Sequence, residues 1–410
     1  MDRPCDIAPP AHHFSGAPRP MRIACVTETY PPEVNGVSLT VARMVEGLRL
    51  LDHEVQLLRP QQSDCQPEVH DPRFHEVLLR GMPIPRYPNL RMGMPSTRAL
   101  VKLWSARRPD VVHIATEGPL GWSALRAARR LGLPVCSDFR TNFHAYTQHY
   151  GIGWLRRPIL GYLRGFHNRT ACTMVPTESL RRELSAAGFE RLEVVARGVD
   201  TAQFHPAHRS AELRAGWGAE DGTLVVTCFG RLAREKNLEV LLESFRAIQR
   251  RVPKSRLLLV GSGPQEDPLR AACPEAIFVG QRRGADLAAH YASADLFLFP
   301  SLTETFGNVT LEAMASGLPV VAFDYAAASQ VIRQGENGMR VPFGDRQAFV
   351  DAAVALALDP QRRRRLADAA RARALQMDWT TIVRCFESML RGSIGHDTRG
   401  SWMVRPGMQP

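Results

Sequence analysis

Glu304 and Glu312, two acids separated by seven residues, form the pattern in this chain that most clearly indicates a functional site. An apolar run of strand length, residues 295–299, precedes them, and Gly317 and Pro319 follow, a helix stop and a residue that cannot continue a helix. The pattern therefore predicts a strand, a loop that holds Glu304 and a short helix that holds Glu312. Because carboxylates accept hydrogen bonds from hydroxyl groups, two of them facing one ligand suit a sugar. Two acids at this spacing would otherwise be a loop charge and a solvated helix face.

The start of this predicted helix offers a second kind of interaction. Phe306, Gly307 and Asn308 would present backbone N–H groups at the positive end of the helix dipole, which favours an anion. Gly307 has no Cβ, so a ligand can approach the backbone closely there. In an open α/β sheet, a connection of this kind lies beyond the carboxyl end of the strand, where ligands collect. A ligand with both phosphate and sugar hydroxyls, such as a nucleotide sugar, fits this combination.

Two basic residues in the middle of the chain could hold a diphosphate. The apolar strand 224–229 leads into Gly230 and Arg231, and Lys236 stands just before the next predicted helix. An arginine binds phosphate as a planar fork, and a lysine binds it as a point charge. Only three of the 52 basic residues are lysines, so a lysine at such a position is informative. The alternative is an ordinary pair of surface bases.

Glycines at other strand ends fit the same kind of site. Strand 21–26 runs into a loop and then a helix that begins near Gly36, where a glycine leaves room for a phosphate or a sugar. Gly261 and Gly263 follow the buried strand 257–260 and could form the wall of a nucleotide pocket. Gly36 could equally be an ordinary turn glycine, and Gly261 with Gly263 is by itself a weak phosphate signal.

Residues 300–322 resemble the Glu-x7-Glu signature of the retaining glycosyltransferases of family 4, and the resemblance extends from residue 21 to about residue 390. It implies an α/β protein of the GT-B fold, in which two Rossmann-like domains face a deep inter-domain cleft. It also implies that Glu304, Phe306 and Gly307 contact the donor hexose and that Glu312 holds the nucleotide ribose.

The same resemblance implies roles for the other motifs. Arg231 and Lys236 would bind the donor diphosphate and offset charge on the leaving nucleoside diphosphate, and the loop around Gly36 would be the inter-domain loop of the family. A lone histidine after a strand is more often a packing or surface residue, but family members carry a histidine near the donor sugar and the acceptor. His144, just past a predicted strand, is the match, and His149 is a weaker candidate.

The elements that must position these residues form two α/β series joined by a short linker. The predicted parts are an extension, an amino-terminal acceptor-side domain, a carboxyl-terminal nucleotide-sugar-binding domain, a helix that crosses back to the first domain and a tail, at residues 1–20, 21–200, 201–377, 378–392 and 393–410. The extension and the tail are expected to be disordered, and Met21 is a candidate start of translation.

The composition favours a globular protein. An apolar content of 44% is ample for buried cores, and no apolar run approaches the roughly 20 residues that span a bilayer. The eight cysteines form no Cys-x2-Cys pair, so reduced thiols in a cytoplasmic protein are expected.

Residues 154–166 mix arginines with large apolar residues, as membrane-surface helices do. Family members that act on lipid acceptors often dock to membranes through the amino-terminal domain, so contact with an anionic membrane surface, on the inner face of the cytoplasmic membrane, is a further expectation. The alternative is an amphipathic helix packed on the sheet.

No metal ion or other cofactor is expected. The sequence holds no Asp-x-Asp motif, and Asp52, His53 and Glu54 stand at the start of a predicted strand, the wrong end of the sheet for the cleft. The net charge of +11 favours an anionic partner but does not distinguish a nucleotide from a nucleic acid or an acidic membrane.

The expected activity is transfer of a hexose from a nucleoside diphosphate sugar with retention of anomeric configuration. The loop segment 34–37 and the linker 196–200 most resemble those of bacterial enzymes that use GDP-mannose. Transfer of mannose to a glycolipid or saccharide acceptor is therefore the preferred hypothesis. The implied mechanism is front-side attack, in which the departing phosphate helps to deprotonate the acceptor.

Three alternatives stand beside it. A UDP-sugar-dependent glycosyltransferase would move sulfoquinovose or glucose to diacylglycerol, and a nucleotide-sugar 2-epimerase shares the fold. An arginine-rich nucleic-acid-binding protein would bind DNA or RNA with steep salt dependence. Because Glu304 and Glu312 would repel a phosphate backbone, no nucleic-acid partner is expected.

Overall fold

The computed structural model describes residues 19–33, 36–62, 68–84, 87–140, 156–304 and 306–394. Within them the chain builds two large sheets, one from residues 22–194 and one from residues 224–341. Helices follow most of the strands, so both halves alternate between strand and helix.

The first half forms an eight-stranded sheet and a separate two-stranded hairpin. Its strands are β1 (Arg22–Val26), β2 (Glu54–Pro60), β3 (His70–Asp71), β4 (Phe74–Leu79), β5 (Gly81–Ile84), β6 (Tyr87–Gly93), β7 (Val111–Ile114), β8 (Val135–Asp138), β9 (Cys172–Val175) and β10 (Leu192–Val194). Its helices are α1 (Gly36–Leu50), α2 (Thr97–Ala106), α3 (Pro119–Arg130), α4 (Arg156–His167) and α5 (Glu178–Ala186).

The second half forms a six-stranded sheet. Its strands are β11 (Leu224–Phe229), β12 (Ser255–Val260), β13 (Ile277–Gly280), β14 (Leu296–Phe299), β15 (Val320–Phe323) and β16 (Met339–Val341). Its helices are α6 (Ala211–Gly216), α7 (Leu238–Arg251), α8 (Glu266–Ala272), α9 (Gly284–Ala292), α10 (Asn308–Ala315), α11 (Ala326–Val331), α12 (Arg346–Leu358), α13 (Pro360–Leu375) and α14 (Trp379–Ile394).

The strands owe their position to continuous apolar runs. All six residues of β11 are buried, as are all four residues of β7, β14 and β15. Strands that are buried on both faces read as unbroken apolar segments, which is the pattern of a parallel sheet covered by helices on both sides. Except for the short β3–β4 pair, the neighbouring strands of both large sheets are parallel.

The strand orders place two ligand-binding positions. The second sheet runs β13-β12-β11-β14-β15-β16, and the first runs β10-β9-β8-β7-β1-β2-β4-β3. In both sheets the order reverses beside the first strand, between β11 and β14 and between β1 and β7, which is the Rossmann-like arrangement. Ligands of such sheets bind beyond the carboxyl ends of the strands at the point of reversal. The predicted α/β class with two Rossmann-like halves is confirmed.

The last described helix, α14, packs on the first half. The rings of Phe386, which is fully buried, and His113 on β7 form a T-shaped pair with centres 4.8 Å apart. Cys136 on β8 donates its thiol to Ser393 Oγ at 3.0 Å, and His53 Nε2 lies 3.1 Å from Glu387 Oε1. The carboxyl end of the described chain therefore returns to the first sheet. The predicted domain boundaries themselves stay a prediction.

Some predicted positions lie outside the described residues. They include His144, His149, residues 154 and 155, and most of the predicted extension and tail, residues 1–18 and 395–410. In the part of the chain that is described, no helix combines the length and apolar character needed to cross a membrane.

Candidate active site

A cavity of about 290 Å³ lies at the carboxyl ends of β11 and β14, the point where the order of the second sheet reverses. It brings together eight of the residues that the sequence predicts for the donor site, from both halves of the chain. The cavity is lined by Gly36, Arg197, Phe229, Gly230, Arg231, Lys236, Phe299, Glu304, Phe306, Gly307, Asn308 and Val309.

The start of α10 forms one wall of the cavity. Gly307 precedes the helix with φ at 91°, a left-handed conformation that glycine adopts without the steric cost of a Cβ. This turn brings the amino-terminal end of α10 to the cavity, with Asn308 as its first residue. The partial positive charge of that helix end favours an anion there.

Lys236 and Glu304 form an ion pair inside the cavity. Lys236 Nζ contacts Glu304 Oε1, and the hydroxyl of Ser301 donates a hydrogen bond of 2.9 Å to the same oxygen. The exposed fractions of the two side chains are 17% and 15%, and the ammonium lies 5.6 Å from the centre of the Phe299 ring. The two residues that the resemblance assigns to phosphate and to sugar are therefore neighbours, and a ligand that reaches one reaches both.

Arg231 stands at the opening of the cavity. It follows Gly230 directly after β11, and its side chain is exposed. An exposed guanidinium beside a partly buried ammonium can meet a diphosphate from the solvent side.

Two predicted glycines shape the cavity without lining it. A Cβ on Gly261 would collide with the carbonyl oxygen of Gly230, and a Cβ on Gly263 would collide with that of Leu232. The loop after β12 therefore lies directly against the loop that carries Arg231. Gly261 and Gly263 therefore pack against the loop after β11 and are not among the residues that line the cavity.

Glu312 lies on α10 and is partly exposed. Tyr291 Oη donates a hydrogen bond of 2.9 Å to Glu312 Oε2, and the Tyr291 ring stacks on Phe229 with centres 3.5 Å apart. Phe229 lines the cavity, whereas Glu312 does not. Burial raises the pKa of Glu312 to about 7, and the hydrogen bond from Tyr291 opposes that effect.

Arg197 is a cavity residue for which the sequence suggested no role. It belongs to the linker that follows β10, only 6% of it is exposed, and its guanidinium lies 5.8 Å from the centre of the Phe306 ring. Burial lowers the pKa of Arg197 to about 9. The available signal was an arginine between apolar residues in the linker between two α/β series, but the sequence does not show that the linker crosses the cleft.

A second charged cluster lies at the carboxyl end of β8 in the first half. Asp138 is buried, and it accepts hydrogen bonds from His113 Nε2 at 2.9 Å and Arg140 Nε at 2.8 Å. Burial alone would raise the pKa of Asp138, but Arg140 and His113 outweigh that effect and hold it below its usual range. Arg140 is the last described residue before the loop of His144.

The acidic cluster at the start of β2 lies away from the cavity. His53 Nδ1 accepts a hydrogen bond of 3.0 Å from Met21 N, and Asp52 pairs with Arg73. These contacts hold the amino-terminal end of the strand, as the sequence suggested. The expectation that the reaction needs no metal ion stays a prediction.

The chain is similar to known families along most of its length. The model described as Glycosyltransferase Family 4 matches residues 34–203, and the model described as Glycosyl transferases group 1 matches residues 223–359. A GDP-mannose-dependent alpha-mannosyltransferase of Mycolicibacterium smegmatis is 35% identical over 88% of this chain and 95% of its own length. A protein of the same name from Corynebacterium glutamicum is 33% identical over 86% of this chain and 84% of its own length. Sulfoquinovosyl transferase SQD2 of Arabidopsis thaliana is 30% identical over 89% of this chain and 73% of its own length.

Solved structures share the fold. Sucrose-phosphate synthase from Thermosynechococcus elongatus superposes with a TM-score of 0.71 at 21% identity, over 91% of this chain and 98% of the other. Anabaena Alr3699/HepE in complex with UDP superposes with a TM-score of 0.72 at 20% identity, over 91% of this chain and 100% of the other. The predicted GT-B fold is thereby confirmed. With both halves matched and relatives above 30% identity over most of the chain, this protein is a hexosyltransferase and belongs to glycosyltransferase family 4.

Proposed function

We propose that the protein transfers mannose, with retention of configuration, from GDP-mannose to a glycolipid or saccharide acceptor. The observation that carries this proposal is the cavity in which Arg231, Lys236, Glu304 and the start of α10 converge. Cations and a helix start suit a diphosphate, and the adjacent carboxylate suits a hexose. The choice of GDP-mannose is supported by relatives of 33–36% identity that are named for that donor.

The donor would lie across the cavity in a defined order. Arg231, Lys236 and the first N–H groups of α10 would bind the diphosphate, and Glu304 with the backbone of Phe306 and Gly307 would bind the hexose. Glu312, which is partly exposed on α10, would bind the ribose beside the cavity. Because its pKa is raised to about 7, its carboxyl group could donate or accept a hydrogen bond near neutral pH.

The reaction would proceed by front-side attack. The bond between the anomeric carbon and the phosphate oxygen breaks, a bond from that carbon to the acceptor oxygen forms on the same face, and the hydroxyl proton of the acceptor passes to the departing phosphate. Arg231 and Lys236 would stabilise the negative charge that grows on the diphosphate. His144 would position the donor hexose or the acceptor hydroxyl. Closure of the two halves would exclude water, which could otherwise hydrolyse the donor.

A lipid acceptor would bring the protein to a membrane, and α4 is the surface that we propose for this contact. Leu163 and Phe166 are buried against the first half, whereas Arg157, Tyr162 and Arg164 are exposed. A basic surface with an exposed aromatic residue favours anionic lipid headgroups. Retention by anionic vesicles at low salt, reduced in Arg157→Glu but not in Arg130→Glu on α3, is expected; equal retention of all three proteins would rule out α4.

A second donor class has support of its own. Relatives that are 30% and 27% identical are named sulfoquinovosyl transferase and alpha-monoglucosyldiacylglycerol synthase. A UDP-linked hexose transferred to diacylglycerol is therefore the competing proposal for the same cavity.

A transfer assay distinguishes the two. The protein is incubated with polar lipids and either GDP-mannose or UDP-glucose, and the products are analysed by mass spectrometry and by the one-bond coupling between the anomeric carbon and its proton in NMR. We expect an α-mannoside from GDP-mannose, and loss of product in Glu304→Gln, whose fold is checked by its circular dichroism. Products from UDP-glucose alone would replace this proposal with the competing one.

A further inference from the structure

Arg197 is a buried cation with almost no partner among the residues that the structure describes. Among the described residues its Nε has no hydrogen-bond acceptor, and its Nη1 lies 3.5 Å from Asn308 Oδ1, the outer limit of a hydrogen bond. Only 6% of the residue is exposed, so water does not replace the missing acceptors freely. A buried charge without a partner lowers the stability of a fold, and such a residue is commonly kept for a ligand.

Arg371, near the same linker, shows what a structural arginine does in this protein. Its guanidinium donates to the carbonyl oxygens of Phe204, Ala315 and Thr201 at 2.6–3.0 Å. Those bonds fasten α13 to the linker and to the end of α10. Arg197 has no comparable set of acceptors among the described residues, so its burial has a different reason.

The groups around Arg197 add positive charge. The 15-residue helix α1 begins at Gly36, where an added Cβ would lie 3.6 Å from Arg197 Nη1, and the eight-residue helix α10 begins at Asn308. Both helix starts carry partial positive charge. Burial chiefly lowers the pKa of Arg197, and Arg140 lowers it further, while Asp138 and Glu304 act in the opposite direction. Because the guanidinium forms no ion pair among the described residues, an anionic ligand beside it would compensate both its burial and the two helix starts.

We propose that Arg197 is a further binding residue for the donor diphosphate, which donates hydrogen bonds to the phosphate attached to the sugar. The inference rests on the proposed function, because the guanidinium lines the same cavity as Arg231 and Lys236. The phosphate lies between the starts of α1 and α10, one from each half of the chain. Because Arg197 lies on the linker between the halves, a phosphate bound to it would also hold the two helix starts close together.

The test compares Arg197→Gln with the wild-type protein in calorimetric titrations of GDP and GMP and in thermal unfolding without ligand. We expect GDP affinity to fall about 10- to 100-fold, since a hydrogen bond to a charged group is lost, while GMP affinity changes less than about threefold, because GMP lacks the second phosphate. The melting temperature of the free variant should equal or exceed that of the wild type, because an unpaired buried charge is removed. Arg197→Lys keeps the charge but not the planar fork, so its GDP affinity should lie between those of the wild type and Arg197→Gln.

Arg43→Gln is the matched control, since Arg43 pairs with Asp200 on the same linker but does not line the cavity. It should leave both affinities unchanged. Unchanged GDP affinity in Arg197→Gln, or equal losses for GDP and GMP together with a lower melting temperature, would overturn this inference while leaving the proposed donor in place. A wild-type protein that binds no GDP would overturn the proposed donor and this inference with it.

Discussion

At the scale of single residues, burial gives Glu312 a titration in the neutral range. Its pKa rises from 4.5 to about 7 because burial disfavours the carboxylate, and the hydrogen bond from Tyr291 offsets part of that rise. Since the folded-state pKa lies above the unfolded value, the group stabilises the fold fully below pH 4.5, and this contribution is lost as the pH rises through about 7.

Glu312→Gln should therefore change how stability depends on pH. The amide oxygen still accepts the Tyr291 hydroxyl, but the side chain cannot ionise. We expect the difference in melting temperature, variant minus wild type, to be larger near pH 8 than near pH 5. Thermal unfolding at both pH values measures this, with Glu336→Gln, an exposed acid, as control. If the difference between Glu312→Gln and wild type is the same at both pH values, Glu312 does not titrate in this window.

Lys236 can be tested against another lysine of the same chain. Lys236 lines the cavity and pairs with Glu304, whereas Lys254 is exposed at the start of β12. Lys236→Gln should weaken GDP binding about tenfold through loss of a charged donor, and Lys254→Gln should not. Isothermal titration calorimetry on both variants decides the matter, and equal affinities would remove Lys236 from the diphosphate site.

The sequence predicts most of this cluster but not all of it. Glu304, Gly307, Arg231 and Lys236 follow strand ends within short motifs, so their meeting at one sheet edge is a consequence of parallel topology. Arg197 escapes such reasoning because its position depends on how the linker crosses the cleft, which no local pattern records.

At the scale of elements, a close contact between two loops shapes the side of the cavity that holds Arg231. The loop after β12 reaches the loop after β11 so closely that Gly261 has no space for a Cβ beside the Gly230 carbonyl. Its φ of 141° adds a backbone conformation that other residues adopt only with strain, on the order of 1–3 kcal/mol.

Gly261→Ala should therefore displace the loop that holds Arg231. We expect a lower melting temperature and weaker GDP binding, because the backbone at Gly230 must shift to admit the methyl group. Gly216→Ala on α6, where a Cβ meets open space, is the control and should change neither quantity. Wild-type affinity in Gly261→Ala would show that the two loops do not position the diphosphate site.

The elements nearest the site are the ones that the sequence describes best. The predicted strand 224–229 matches β11 residue for residue, and the helix predicted to begin near Gly36 is α1, Gly36–Leu50. The β5–β6 hairpin and α2 escaped prediction, since Pro83, Pro85 and Pro95 interrupt the apolar periodicity of that region.

At the scale of the whole molecule, the described parts of the two halves meet through α14 and also beside the cleft. Arg197 approaches Asn308, and Glu178 N at the start of α5 donates to Gln330 Oε1 on α11 at 3.3 Å. The sequence predicts two halves from the repeated α/β alternation, but the apposition of Gly36 and the start of α10 follows only from the assembled fold.

The proposed donor requires that this cleft bind GDP in preference to other nucleoside diphosphates. Titration calorimetry of the wild-type protein with GDP, UDP and ADP tests it directly. We predict that GDP binds at least about tenfold more tightly than UDP or ADP, a difference that base recognition alone must supply because the diphosphate is common to all three. Tighter binding of UDP than of GDP would rule out GDP-mannose as the donor and assign the cavity to a UDP-linked sugar.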